Sequence, residues 1–210
     1  MRTNKTMSVY SKVMEEIKGR AHVIRLIHAK EHTSYFYLTD IEFCSLQLRK
    51  ILEILLFALL VANKKEYDRL GHDISKEWKV DKKLKEIKSI NPQFFPVGIE
   101  ISEAGISSEK GIYKVKLKRD TNNLFNIKDF NKAYKFTSKH LHIQNPFSPE
   151  YKPTDIEIFY KELMNYLNKL MNLLKQHRVT LCNGECILCD LNSKKNGKEG
   201  IEVSYLKVRK

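Results

Sequence analysis

Residues 39–63 read TDIEFCSLQLRKILEILLFALLVAN, and this run decides the fold class. Ile41, Leu48, Leu55 and Ala62 recur at seven-residue intervals, with Leu52 and Leu59 between them. That is the period of a helix seam and not the alternation of a strand. Thr39-Asp40-Ile41-Glu42 has the form of a capping box, in which the Thr39 hydroxyl accepts a backbone N–H and Glu42 reaches back, so the helix is expected to open at Thr39. Its reach to Asn63 is about 35 Å. Between Ile51 and Ala62 only Glu53 interrupts the apolar residues, which marks the second half as buried nearly all round and this helix as the centre of the fold. That apolar run is too short to span a bilayer.

On the N-terminal side, residues 8–30 carry a second apolar seam in Tyr10, Val13, Ile17, Ala21, Ile24 and Ile27. An aromatic loop, Tyr35-Phe36-Tyr37, joins the two helices. Arg20 lies close to the first seam and Glu53 interrupts the second, so an Arg20–Glu53 core pair is expected, since a buried charge needs a partner. Further on, a short helix is expected near 75–89 around Trp78, Leu84 and Ile87, stopping at Asn91-Pro92. Phe94-Phe95-Pro96 reads as an extended segment pinned to the core. Two strands are expected at 98–102 and 111–118. A helix from Ile127 to Leu141 follows, with Asn126 as its N-cap and Asp129 in its first turn. A fourth long helix opens with a second Thr-Asp-Ile-Glu, residues 154–157, and carries Ile156, Phe159, Leu163, Leu167, Leu170 and Leu174 to about His177.

The tail reads as a β-meander. Strands at 179–182 and 185–189 flank Asn183-Gly184, the signature of a two-residue turn, and 201–208 forms a third. The expected fold class is mostly α within α+β: a bundle of three to four long helices with two small antiparallel β elements. Its organisation is a helical domain over 1–177 with a β-hairpin insertion near 98–118, and a three-stranded meander over 178–210 packed on the bundle.

Charge points to a partner class. The formal net charge is +13, and residues 110–142 hold nine Lys and Arg against Asp120 and Asp129. Lys114, Lys116 and Lys118 alternate with Tyr113, Val115 and Leu117, which puts three cations on one strand face. Lys128, Lys132, Lys135 and Lys139 recur at helical spacing opposite Phe130, Tyr134, Thr137 and Leu141. A basic strand face beside a basic helix stripe is a footprint for a polyanion. The alternative is a solvated surface: the chain has 30 Lys and 8 Arg, and phosphate readers that need geometry favour Arg.

Candidate chemistry is sparse. Arg25, His28 and His32 share a helix face if the first helix extends that far, and Arg25 with His32 gives Arg-x6-His. Such a pair suits phosphodiester chemistry, the Arg stabilising phosphate charge and the His moving a 2′-hydroxyl proton. Lys135-x6-His142 is a second pair of this kind with Lys in place of Arg; His142 is otherwise a helix stop. His177, Cys182, Cys186 and Cys189 have the number of ligands a zinc site needs, but the hairpin puts Cys182 and Cys189 on one face and Cys186 on the other. No metal and no cofactor is expected. The four cysteines, with no apolar leader after Met1, suggest a reducing cytoplasm.

The helical core, the Arg25-x6-His32 spacing and the basic surface resemble the HEPN superfamily over residues 9–62 and 127–177. That resemblance implies a helical bundle, often a homodimer, in bacterial antiviral-defence or toxin–antitoxin systems, many members being metal-independent RNases with an Arg-x4–6-His motif. The pair here lies on the first helix, whereas the family's motif lies late in the bundle, and the late pair, Lys135 and His142, lacks the Arg. The function expected is therefore RNA binding, with a non-enzymatic interaction or dimerisation module as the alternative and an RNase as the third.

Overall fold

The computed structural model of the chain describes residues 2–70, 79–106, 113–120, 125–142, 145, 147, 153–195 and 198–206. Among these, helices α1 (Arg2–His28), α2 (Tyr37–Ala62), α3 (Lys64–Arg69), α4 (Val80–Ile90), α5 (Ile127–Leu141) and α6 (Ile156–Lys175) accompany strands β1 (Val97–Ile106), β2 (Tyr113–Arg119), β3 (Gln176–Thr180), β4 (Cys186–Lys195) and β5 (Lys198–Leu206). The protein is mostly helical, with one small antiparallel sheet. Trp78 and the start expected for the helix near 75–89 lie outside the described residues.

The apolar run of residues 51–62 is the centre of the packing. α2 meets α1, α3, α4, α5 and α6. Leu48, Ile51, Leu52, Leu55, Leu56, Leu59 and Leu60 are all buried. Each such side chain stabilises the fold by roughly 1.5–3 kcal/mol relative to exposure. Tyr10, Met14, Ile17, Ala21 and Ile24 of α1 complete one side of this core. Phe159, Leu163, Leu167, Leu170 and Leu174 of α6 are buried with them, while Ile156 is exposed.

The β segments differ from the two separate elements expected. They form a single five-stranded sheet in the order β2-β1-β3-β4-β5. The join is narrow: β1 meets β3 at Val97–Arg178 and Gly98–His177. The hairpin near 98–118 and the C-terminal meander are therefore continuous across the 177/178 boundary. On β4, Ile187, Cys189 and Leu191 enter the main core, while the intervening Cys186 and Leu188 are buried outside it.

The β3–β4 turn is one residue longer than Asn183-Gly184 suggested. Leu181 N–H donates to Glu185 O, and Gly184 N–H donates to Leu181 O. Gly184 has φ +80. This is a three-residue loop, Cys182-Asn183-Gly184, with glycine in the left-handed position that such loops require. The register moves by one, so Thr180 pairs with Cys186, and Cys182 sits in the turn and not on a strand face.

The Arg20–Glu53 pair does not form. Arg20 bonds Glu16, at 2.6 Å and 3.0 Å, and Gln47 at 2.7 Å. Glu53 takes Arg49 at 3.2 Å and Lys50 at 3.6 Å. Each charge found its counter-charge within one turn of its own helix, and the bonds that cross between helices go to neutral groups, Arg20 to Gln47 and Glu53 to Tyr134.

Candidate nucleic-acid interface

The lysine stripe of α5 is built by local rules. The Asn126 side chain accepts from the N–H groups of Lys128 and Asp129, and Asp129 accepts from the Asn126 N–H. This reciprocal cap sets where the helix begins, and hence the phase of every residue after it. At about 100° per residue, Lys128, Lys132, Lys135 and Lys139 fall within an arc of about 60°. All four are exposed, and Phe130, Ala133, Phe136 and Thr137 are buried on the other side. The four lysines are in no salt bridge among the described residues.

A half-buried polar cluster locks α5 onto α2. The Arg49 guanidinium donates to Tyr134 OH at 2.6 Å and to Ser138 Oγ at 2.8 Å. It also lies 4.3 Å from the centroid of the Tyr134 ring. Glu53 accepts from Arg49, and from Tyr134 OH at 3.3 Å. Burial is the main cause that raises the Tyr134 phenol, partly opposed by the Arg49 charge. Arg49 and Glu53 are visible in sequence as an i, i+4 pair. Their partners, 81 to 89 residues away, carry no sequence signal.

The strand lysines lie on a different element from this stripe. Lys114, Lys116 and Lys118 occupy alternate positions of β2, opposite Gly105, Ser102 and Glu100. Lys118 is exposed and pairs with Glu100 at 3.7 Å. The side chains of Lys114 and Lys116 are outside the described residues. β2 packs on β1 and makes no substantial contact with α5 among the described residues. The seven lysines thus divide between a helix face and a hairpin hung on the sheet edge.

Arg25, His28 and His32 do not share a helix face. α1 ends at His28, and Lys30 adopts φ 60, so His32 lies beyond the helical register. His28 packs against Tyr160, with ring centroids 5.3 Å apart. Arg25 is exposed and lines a cleft with residues of α6 and β4. His142 is the exposed residue that closes α5, with extended backbone. Its neighbour His140, not singled out in the sequence, is half-buried between Phe136 and Phe159, each 4.9 Å away. Burial, and then the Lys139 charge, hold its pKa below the usual 6.5.

His177 is not a helix terminus but a fully buried residue of β3. Its Nδ1 lies 2.9 Å from Leu174 O. A carbonyl only accepts, so Nδ1 carries the proton and Nε2 accepts from Tyr10 OH at 2.7 Å. Burial pushes the imidazole down to about 4, against smaller raising effects of the Leu174 bond and Asp190. Both ring nitrogens are thus committed to protein partners. Among the described residues no three His, Cys, Asp or Glu side chains gather as a metal ion would require.

No protein-family model, curated protein or solved structure matches the chain. Among the described residues no helix is long and apolar enough to cross a membrane.

Proposed function

We propose that this protein binds RNA through the lysine face of α5. The observation that carries the reading is the arc of four exposed lysines with no carboxylate partner among the described residues. Such a face neutralises phosphates and releases their counterions, so affinity falls steeply with salt. The choice of RNA over DNA, a place in the bacterial cytoplasm and a role in antiviral defence follow the HEPN resemblance. Fluorescence anisotropy with RNA and DNA of one sequence tests this. A K132E/K135E variant should bind RNA at least tenfold more weakly with an unchanged melting temperature. The slope of log K against log salt should shrink by roughly 1.4, at about 0.7 per lost single-strand contact. Equal affinity in the variant would leave the stripe as a solvated face.

A second reading, an interaction or homodimerisation module, is favoured by a different surface. Phe43 and Leu46 are 40% and 39% exposed on α2, just after Tyr35, Phe36 and Tyr37, which are 97%, 54% and 49% exposed. A cluster of this kind is a surface that partners cover. Sedimentation of F43E/L46E against the unaltered protein decides between self-association and a monomer. An RNase is the third reading. In it His142 transfers a proton at the end of the lysine stripe, and His142→Ala should abolish cleavage while sparing affinity. Arg25→Gln and His32→Ala enter the same assay for the first pair.

A further inference from the structure

We infer that the cleft between α1, α6 and β4 is a binding site for a phosphomonoester group. It is lined by Lys18 and Arg25 of α1, Met171, Asn172 and Lys175 of α6, and Leu191 and Asn192 of β4. Its volume is about 180 Å³, far above the roughly 10–15 Å³ that one water needs. None of these residues belongs to α5, so the site stands or falls separately from the RNA reading.

The composition of the lining chooses the ligand. Three cations and two carboxamides line the cleft, and among the described residues no carboxylate does. Lys18 and Arg25 are seven residues apart on α1, which brings them to one helix face about 10.5 Å apart along the axis. Lys175 approaches from the last turn of α6. Arg25 and Lys175 form no side-chain hydrogen bond or salt bridge with the described residues. Like charges that line one cleft repel one another, and an anion between them removes that cost.

The competing acceptors are already engaged. The carbonyl of Leu191 accepts from Lys18 Nζ at 3.2 Å. The neighbouring carboxylate of Asp190 accepts from Gln176 Nε2 at 2.6 Å and from the Asn192 N–H at 2.8 Å. A phosphomonoester dianion suits what is left. The Arg25 fork can take two oxygens side by side, and the lysines act as point charges. The Asn172 and Asn192 amides supply neutral donors, while the half-buried Met171 offers an apolar contact to the organic part of the ester.

The test is a nuclear magnetic resonance titration of the full chain with ribose 5-phosphate, ribose and inorganic phosphate. A second arm compares a short RNA bearing a 5′-phosphate with the same RNA bearing a 5′-hydroxyl. Ribose 5-phosphate should move the amide signals of Arg25, Asn172, Lys175 and Asn192, and ribose should not. The R25Q/K175Q variant should bind at least tenfold more weakly with an unchanged melting temperature, since both side chains are exposed; R25K should fall between. Tighter binding of the phosphorylated RNA end than of ribose 5-phosphate assigns the cleft to RNA termini, and the reverse order to a small metabolite; either upholds the site. No cleft-localised shift with any phosphate, or equal binding by the double variant, overturns it. Loss of RNA binding in K132E/K135E with the cleft shifts intact separates the two sites.

Discussion

Thr-Asp-Ile-Glu occurs twice, at 39–42 and at 154–157, and the two copies do different work. At the second, Asp155 is the N-cap of α6 and its carboxylate accepts from the Ile158 N–H at 3.0 Å. At the first, the helix has already begun: Phe36 is the N-cap, and Thr39 is the third helical residue, its hydroxyl donating back to Phe36 O. Asp40 is buried there and reaches outward, accepting from Thr33 Oγ1 and the Ser34 N–H, both at 2.8 Å. One aspartate caps a helix; the other pins a loop. The flanks decide. Tyr35 adopts φ 65, which breaks the chain direction one residue before Phe36. Ahead of α6, Pro153 disfavours helix in the residue before it, so that helix starts only after it.

Stability measurements test this difference between the two copies. The largest effect is a background on which the others must be read. His177 is held at about 4 in the folded protein against roughly 6.5 when unfolded. The unfolded chain therefore binds the extra proton first, and stability present above pH 6.5 should fall by about 3 kcal/mol by pH 4. Urea midpoints against pH measure this, and a His177→Gln variant should lose the slope. Next comes Asp40→Ala, which removes two charge-assisted hydrogen bonds and should cost about 2 kcal/mol. Burial raises the Asp40 carboxyl, but the bonds from Ser34 and Thr33 outweigh it and hold its pKa below 3.8. Its contribution is thus complete above that value and lost as pH falls further, so D40A should be less acid-sensitive than the parent below about pH 4. Asp155→Ala should cost about 1 kcal/mol, the ordinary worth of a cap. Thr39→Ala and Thr154→Ala should each cost under ~0.5 kcal/mol. A loss near 1 kcal/mol at Thr39 would restore it as the cap and erase the difference between the copies.

The same contrast explains what could be read in advance. α5 was legible to the residue, because Asn126, Asp129 and the apolar phase after them are a local statement that nothing distant contradicts. The α2 seam was legible for the same reason, but its start was not: Asp40 had a choice of local partners, and the loop conformation at Tyr35 decided it. Asn183-Gly184 named a turn correctly but not its length, since glycine serves the last position of a three-residue loop as readily as a two-residue one. The stripe Lys128–Lys139 was read from spacing alone. The Arg49–Tyr134–Ser138 cluster that holds it, and the cleft of Lys18, Arg25 and Lys175, depend on which helices meet. Periodicity says which face is apolar, not which neighbour covers it.

The bond between Tyr10 and His177 also has a consequence for the order of synthesis. The two residues stand 167 positions apart, and α1 rests on β4 and β5 as well as on α2. At roughly 5–20 residues per second, α1 emerges about 8–30 s before the strands that cover it. α2 can shelter one side of it early. The side bearing Tyr10 must wait for the last third of the chain, so a nascent chain stalled before β3 should be sticky and open to a chaperone, while one stalled after β5 should not.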